Sequence, residues 1–122
     1  MNESLFNKYG GFSTVGKLVH SFYEKVLDTD QLLHYFRGID MERLIRHQTD
    51  FLCLILGGPV HYTGKDLRQA HVRMNITEED FDLVADLLEE ALEECNIEYG
   101  DIDKIMVLIR ARKPDIVGAE LS

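Results

Sequence analysis

Three residues able to do chemistry fall on helix faces that should be apolar: Tyr23, Gln48 and His71. His71 shares a face with Leu67, Ala70 and Met74; Gln48 interrupts a stripe between Leu44 and Phe51-Leu52; Tyr23 sits beside Phe22 and one turn before Leu27. Burying an unpartnered polar group costs about 1–3 kcal/mol, so each needs a partner. Taken singly, His71 reads as a core histidine bonded to a backbone carbonyl, Tyr23 as a core aromatic with its hydroxyl at the edge, and Gln48 as a boundary residue. Together, an imidazole, a phenol and an amide on three inward faces point to a polar guest inside an otherwise apolar pocket.

Other chemistries lack their motifs. The chain has no GxxxxGK[ST], GxGxxG, CxxC or HExxH, which removes the usual signatures of nucleotide, redox-thiol and zincin sites. His61 and His71 pair with no cysteine at zinc spacing. The acidic run Glu78-Glu79-Asp80 suits a helix start, where carboxylates complement the macrodipole. Glu89-Glu90 and Glu93-Glu94 read as a solvated face, and Arg110, Arg112 and Lys113 as a solvated helix end. The serines show no nucleophile elbow.

The elements that must position the three residues are helical. A short segment, Ser4 to Tyr9, is cut off by Gly10-Gly11. Ser13 is expected to cap a helix with apolar positions Val15, Leu18, Val19, Phe22, Val26 and Leu27. Thr29-Asp30 opens a brief helix carrying Leu32, Leu33 and Phe36, stopped by Gly38. Asp40 caps the next, whose stripe runs Met41, Leu44, Ile45, Gln48, Phe51, Leu52 and Ile55, and Gly57-Gly58-Pro59 ends it. An irregular stretch from Val60 to Gly64 leads to the helix bearing His71. Thr77 and Asp80 form a capping box with Asp in place of Glu or Gln, opening a helix with Phe81, Val84, Leu88, Ala91, Leu92 and Cys95. A last helix, starting near Asp101, carries Ile102, Ile105, Met106 and Ile109 before Pro114 kinks or ends it. No stretch alternates with period two, so the class is all-α, and the 122 residues suit one domain, 1–122.

Bulk properties narrow the partners. A formal charge of −9 and a pI near 4.9 repel phosphate backbones and anionic lipid, so neither nucleic acid nor a membrane is expected. Cys53 and Cys95 make no disulfide framework and read as small buried hydrophobes, which suits a reducing cytoplasm. The N-terminal residues lack the basic and apolar regions of a signal peptide. With no evident exposed apolar patch, a monomer is expected.

In order along the chain stand Gly10-Gly11, Phe22-Tyr23, Phe36, Gln48 with Phe51, Gly57-Gly58-Pro59, and Tyr62-Thr63-Gly64 leading to Ala70-His71. This series resembles the group I truncated haemoglobins, at the family's spacing and over roughly Ser4 to Val117. The resemblance implies a two-over-two helical sandwich. In it the helices from Ser13 and Asp40 form one antiparallel pair, and those from Thr77 and Asp101 the other. Groups II and III usually carry a tryptophan after the proximal histidine; this chain has none, and the matching position is Val84.

The resemblance also implies haem b as cofactor. His71 would be the proximal iron ligand, its second ring nitrogen donating to a carbonyl near Leu67. Phe36 would pack on the porphyrin, with Phe51, Tyr62, Phe81 and Val84 as further walls. On the distal side Tyr23 and Gln48 match the family's hydrogen-bonding pair. Leu44 stands where conventional globins carry a histidine. No catalytic group beyond the haem is implied.

The expected ligands are O2, NO and CO. Slow O2 release favours storage or dioxygenation of nitric oxide, with an unidentified reductase as partner. An alternative is a bis-histidine protein for electron transfer or sensing, with His47 as second iron ligand. Another is a haem-free helical interaction module in which the three polar residues are ordinary core groups.

Overall fold

The computed structural model describes residues 4–60 and 76–117. His71, Tyr62 and Leu67 therefore lie outside the described residues, as does the rest of 61–75.

The chain starts with a single turn, α1 (Leu5–Lys8), capped by the Ser4 hydroxyl, which accepts from the Asn7 N–H at 3.1 Å. The Phe6 N–H donates to the Leu56 carbonyl at 2.8 Å, tying this turn to the end of a later helix. Next comes α2 (Phe12–Leu27), and here the expected cap is wrong. Gly11, not Ser13, is the cap residue, at φ 70°, a left-handed conformation that glycine adopts without strain. Ser13 lies inside the first turn. Val15, Leu18, Val19, Phe22, Tyr23 and Val26 are buried, whereas Leu27 is 43% exposed. The Tyr23 ring instead packs edge-on against Phe22, centroids 5.1 Å apart.

The brief helix after Thr29 is a 3-10 helix, Asp30–Phe36. Three residues per turn align positions i and i+3, so Leu32 and Tyr35 are buried together. Leu33, expected inside on an α-helical period, is 41% exposed. Asp40 caps α3 (Met41–Ile55) as expected, accepting from the Arg43 N–H at 3.3 Å. Leu44, Phe51, Leu52 and Cys53 are buried, and Ile45 is at the surface. The chain turns sharply at Gly57 (φ 84°), and Gly58 passes so close to Phe6 that a Cβ there would stand 2.7 Å from its ring.

Two long helices form the second layer. Thr77 caps α4 (Glu78–Glu94), its hydroxyl accepting from the Asp80 N–H at 3.1 Å. Phe81, Ala85, Leu88, Ala91 and Leu92 are buried, while Val84 and Cys95 are half-buried. The last long helix, α5 (Tyr99–Arg110), begins two residues before the expected start and places Asp101 in its first turn, buried. That carboxylate accepts from the Lys8 ammonium at 2.7 Å and from the Tyr9 hydroxyl, and the same hydroxyl accepts from the Glu98 N–H at 3.2 Å. Pro114 does not end α5; it sits in a separate turn, α6 (Lys113–Ile116), near its start, where proline's missing N–H is harmless.

Nor is the basic segment 110–113 simply solvated. Arg110 reaches Asp86 at 3.4 Å and Lys113 reaches Asp82 at 3.3 Å, both on α4. Such exposed pairs add about 1 kcal/mol or less each.

Helix α2 packs on both α3 and α4, and α4 packs on α5, which gives two layers of two long helices. Leu18, Val26, Leu32, Leu92 and Ile105 lie at the centre with almost no exposure. Among the described residues the only β pairing is a parallel bridge between Ile76 and Val117.

Candidate functional site

Between the layers lie two adjoining apolar spaces. One, of about 400 Å³ and partly open to solvent, is bounded by residues of α2, the 3-10 helix, α3 and α4. Its walls include Tyr23, Phe36, Leu44, Gln48 and Val84, all residues singled out in the sequence. The second, of about 530 Å³, includes Gln48, Phe51, Phe81 and Val84. Phe22, Gln48, Ile76 and Val84 border both, so the two are halves of one cleft.

The polar groups are few and come from separate helices. Tyr23 lies on α2, 6% exposed, and Gln48 on α3, half-buried. The Phe36 ring stands edge-on to Tyr23, centroids 6.4 Å apart and planes at 82°. Thus Tyr23 and Phe36 border one half of the cleft, Phe51 and Phe81 the other, and Gln48 borders both. His47 precedes Gln48 on α3 and is half-buried; the walls of these two spaces are formed without it.

Sequence reasoning missed one participant, Tyr35. It borders the first space, and its hydroxyl donates to the Asp80 carboxylate and accepts from the Thr77 N–H at 3.4 Å. The Gln31 side-chain amide donates to the other Asp80 oxygen at 2.5 Å. The expected capping box is therefore real at Thr77, but its return bond passes through a tyrosine. The Tyr35 hydroxyl holds the Asp80 carboxyl below the usual carboxylate range against the opposing effect of burial, while burial and that carboxylate push the Tyr35 phenol up. No local signal marks this pairing, because 45 residues separate the partners.

An apolar cleft walled by two phenols, one of them engaged by Asp80, and one side-chain amide can hold a large apolar group and hydrogen-bond a small polar ligand beside it. A cluster of His, Cys, Asp or Glu fit to hold a metal ion does not occur among the described residues.

Comparison with known proteins agrees with this architecture. The bacterial-like globin family model matches residues 4–117. A group 1 truncated hemoglobin from Tetrahymena pyriformis is 34% identical over 116 residues, which are 95% of this chain and 96% of that protein. The crystal structure of the truncated hemoglobin from that organism in its Fe(III) form aligns with a TM-score of 0.83, covering 95% of this chain and 99% of the other. The 2/2 hemoglobin of Synechococcus sp. PCC 7002, crystallised in the cyanomet state with covalently attached heme, aligns at 0.84 with 30% identity, covering 94% and 98%.

Proposed function

The chain belongs to the bacterial-like globins, among the group 1 truncated hemoglobins, and from that premise we propose that it holds O2 tightly for storage or for reaction with nitric oxide. Haem b is its cofactor, and binding of diatomic gas at the haem is its general activity. Bound haem supplies a ferrous centre for O2, NO or CO and, in dioxygenation, the single electron that joins O2 and NO into nitrate.

The described walls suit such a group. The cleft is mostly apolar, carries the aromatic rings of Phe36, Phe51 and Phe81, and places its two tyrosines in one half, with Gln48 bordering both halves. Phe36, Phe51, Phe81 and Val84 would hold the porphyrin, joined by Tyr62 and Leu67. His71 would be the proximal ligand, its imidazole presenting one nitrogen and donating from the other.

The observation that carries the finer reading is that Tyr23 and Gln48, from two different helices, border one apolar cavity beside Leu44. With leucine at position 44 supplying no donor, the phenol and the amide are left to bind the gas. A hydrogen bond to a group bearing charge contributes about 1.5–3 kcal/mol. At 1.4 kcal/mol per decade, that slows release by roughly ten- to more than a hundredfold. The decisive experiment is the O2 dissociation rate of Tyr23→Phe: a rise of that size supports the reading, and an unchanged rate overturns it.

Bis-histidine ligation by His71 and His47 is a second reading, favoured by the half-burial of His47 one turn from Leu44. Low-spin bands that vanish in His47→Ala would establish it. A monomer of one globin domain, served by a reductase, is part of the same proposal. The acidic charge and the two thiols support a cytoplasmic setting, and no described helix is long and apolar enough to cross a membrane.

A further inference from the structure

We propose that Tyr35 is a positioning residue for gas binding: by joining Asp80 and Thr77 it fixes the 3-10 helix, and so seats Phe36 against the Tyr23 ring. The proposal rests on Tyr23 being the distal donor.

Both ends of the link are buried, Tyr35 and Asp80 each being 7% exposed. The 3-10 helix is attached twice to the same carboxylate, through Gln31 near its start and Tyr35 near its end. Two bonds four residues apart fix its rotation as well as its distance from α4. Phe36 follows Tyr35 directly, so its ring position depends on that rotation. The Tyr23 ring packs against both Phe36 and Phe22, contacts that restrict where its hydroxyl can point.

Capping alone does not account for the arrangement. The Thr77 hydroxyl already satisfies the Asp80 N–H. A glutamate at position 80, one methylene longer, would reach the Thr77 N–H by itself, as in an ordinary capping box. Aspartate leaves a gap that only a residue from another element fills. The start of α4 is thereby made to depend on the wall of the gas-binding cavity.

The test separates capping from positioning with two haem-loaded variants, Tyr35→Phe and the double variant Tyr35→Phe/Asp80→Glu. Readouts are the O2 dissociation rate, the C–O stretching frequency of the carbon monoxide complex, and hydrogen exchange at the Thr77 amide. In Tyr35→Phe, O2 release should quicken by about tenfold, a change of one decade in a distal interaction. The C–O band should shift upward and the Thr77 amide should lose protection. In the double variant the glutamate should restore that protection while O2 release stays fast and the band stays shifted. If Tyr35→Phe does not fold, the double variant carries the same comparison against the parent chain.

Recovery of all three properties in the double variant, or unchanged release and band in Tyr35→Phe, would reduce Tyr35 to a cap and overturn the proposal. Tyr23→Phe is the control. Unchanged O2 release there sinks the distal reading and this proposal together, whereas an effect at Tyr23 with none at Tyr35 sinks only the positioning role.

Discussion

Tyr9 and Tyr35 stand in the same relation to the starts of two different helices. Each hydroxyl donates to the aspartate at the third helical position, Asp101 or Asp80, and accepts the N–H of the cap residue, Glu98 at 3.2 Å or Thr77 at 3.4 Å. In an ordinary capping box a glutamate makes the second bond unaided. Here aspartate falls short and a phenol completes the circuit from elsewhere in the chain. One tyrosine thereby docks the N-terminal turn onto α5, and the other docks the 3-10 helix onto α4.

Acid should dissolve both docks. The Lys8 ammonium and the Tyr9 hydroxyl hold the Asp101 carboxyl below its ordinary value of 3.8, and the Tyr35 hydroxyl does the same at Asp80. A lowered folded-state pKa gives stability that is fully present above the unfolded value and is lost as pH falls through the folded one. The urea midpoint should therefore drop steeply once pH passes below 3.8. Asp80→Asn/Asp101→Asn should start lower at neutral pH and show a flatter acid limb. Identical acid limbs would refute the assignment.

Gln48→Leu should speed O2 release by up to about tenfold, the scale of one net hydrogen bond. Because Tyr23 borders the same cavity, the double variant Tyr23→Phe/Gln48→Leu should fall short of the product of the two single effects. Stopped-flow displacement of O2 by carbon monoxide measures both.

His71→Ala should abolish normal haem retention and its Soret band, since it removes the proposed proximal ligand. His47→Ala should keep the haem; its ferric spectrum then reports whether a sixth ligand has gone. A red His71→Ala protein with the parent spectrum would end the proximal assignment.

Gly58→Ala should destabilise the fold by about 1–3 kcal/mol, the usual range for overpacking. The new methyl would stand 2.7 Å from a ring carbon of buried Phe6. Gly58→Ala/Phe6→Leu should recover part of the loss in thermal midpoint, because the leucine side chain can move aside.

The two thiols should react in sequence. Cys53 has no exposure, and burial pushes its thiol up to about 11; Cys95 is half-buried and raised by the same cause. The thiolate is the reactive form, so an aromatic disulfide reagent should modify Cys95 slowly in the native protein and Cys53 only on unfolding. Two equivalents consumed before unfolding would contradict the burial of Cys53.

The long helices and most of the cleft wall were legible in the sequence because they follow from periodicity. Leu44, Gln48 and Phe51 share one face of α3 by spacing alone, and the cap at Asp40 is a local signal. Leu33 was misplaced and Tyr35 overlooked because a 3-10 helix repeats every three residues, which an α-helical period hides in so short a segment. Ser13 lost the cap of α2 to Gly11, whose left-handed backbone begins the helix two residues early. The tyrosine links and the pairing of Arg110 with Asp86 join residues far apart in sequence, and no local pattern reports them. His71 was singled out from its neighbours Leu67, Ala70 and Met74 and from the family resemblance, and it lies outside the described residues.

The bridge between Ile76 and Val117 has a mechanical meaning. Ile76 borders both halves of the cleft, and Ile116, just before Val117, borders one of them. Traction on a fusion partner or surface tether attached behind Val117 would pass first to the wall of this cleft, before any long helix bore load. A tether at the α1 end would pull instead on the Lys8 and Tyr9 clasp, which lies away from the cleft walls.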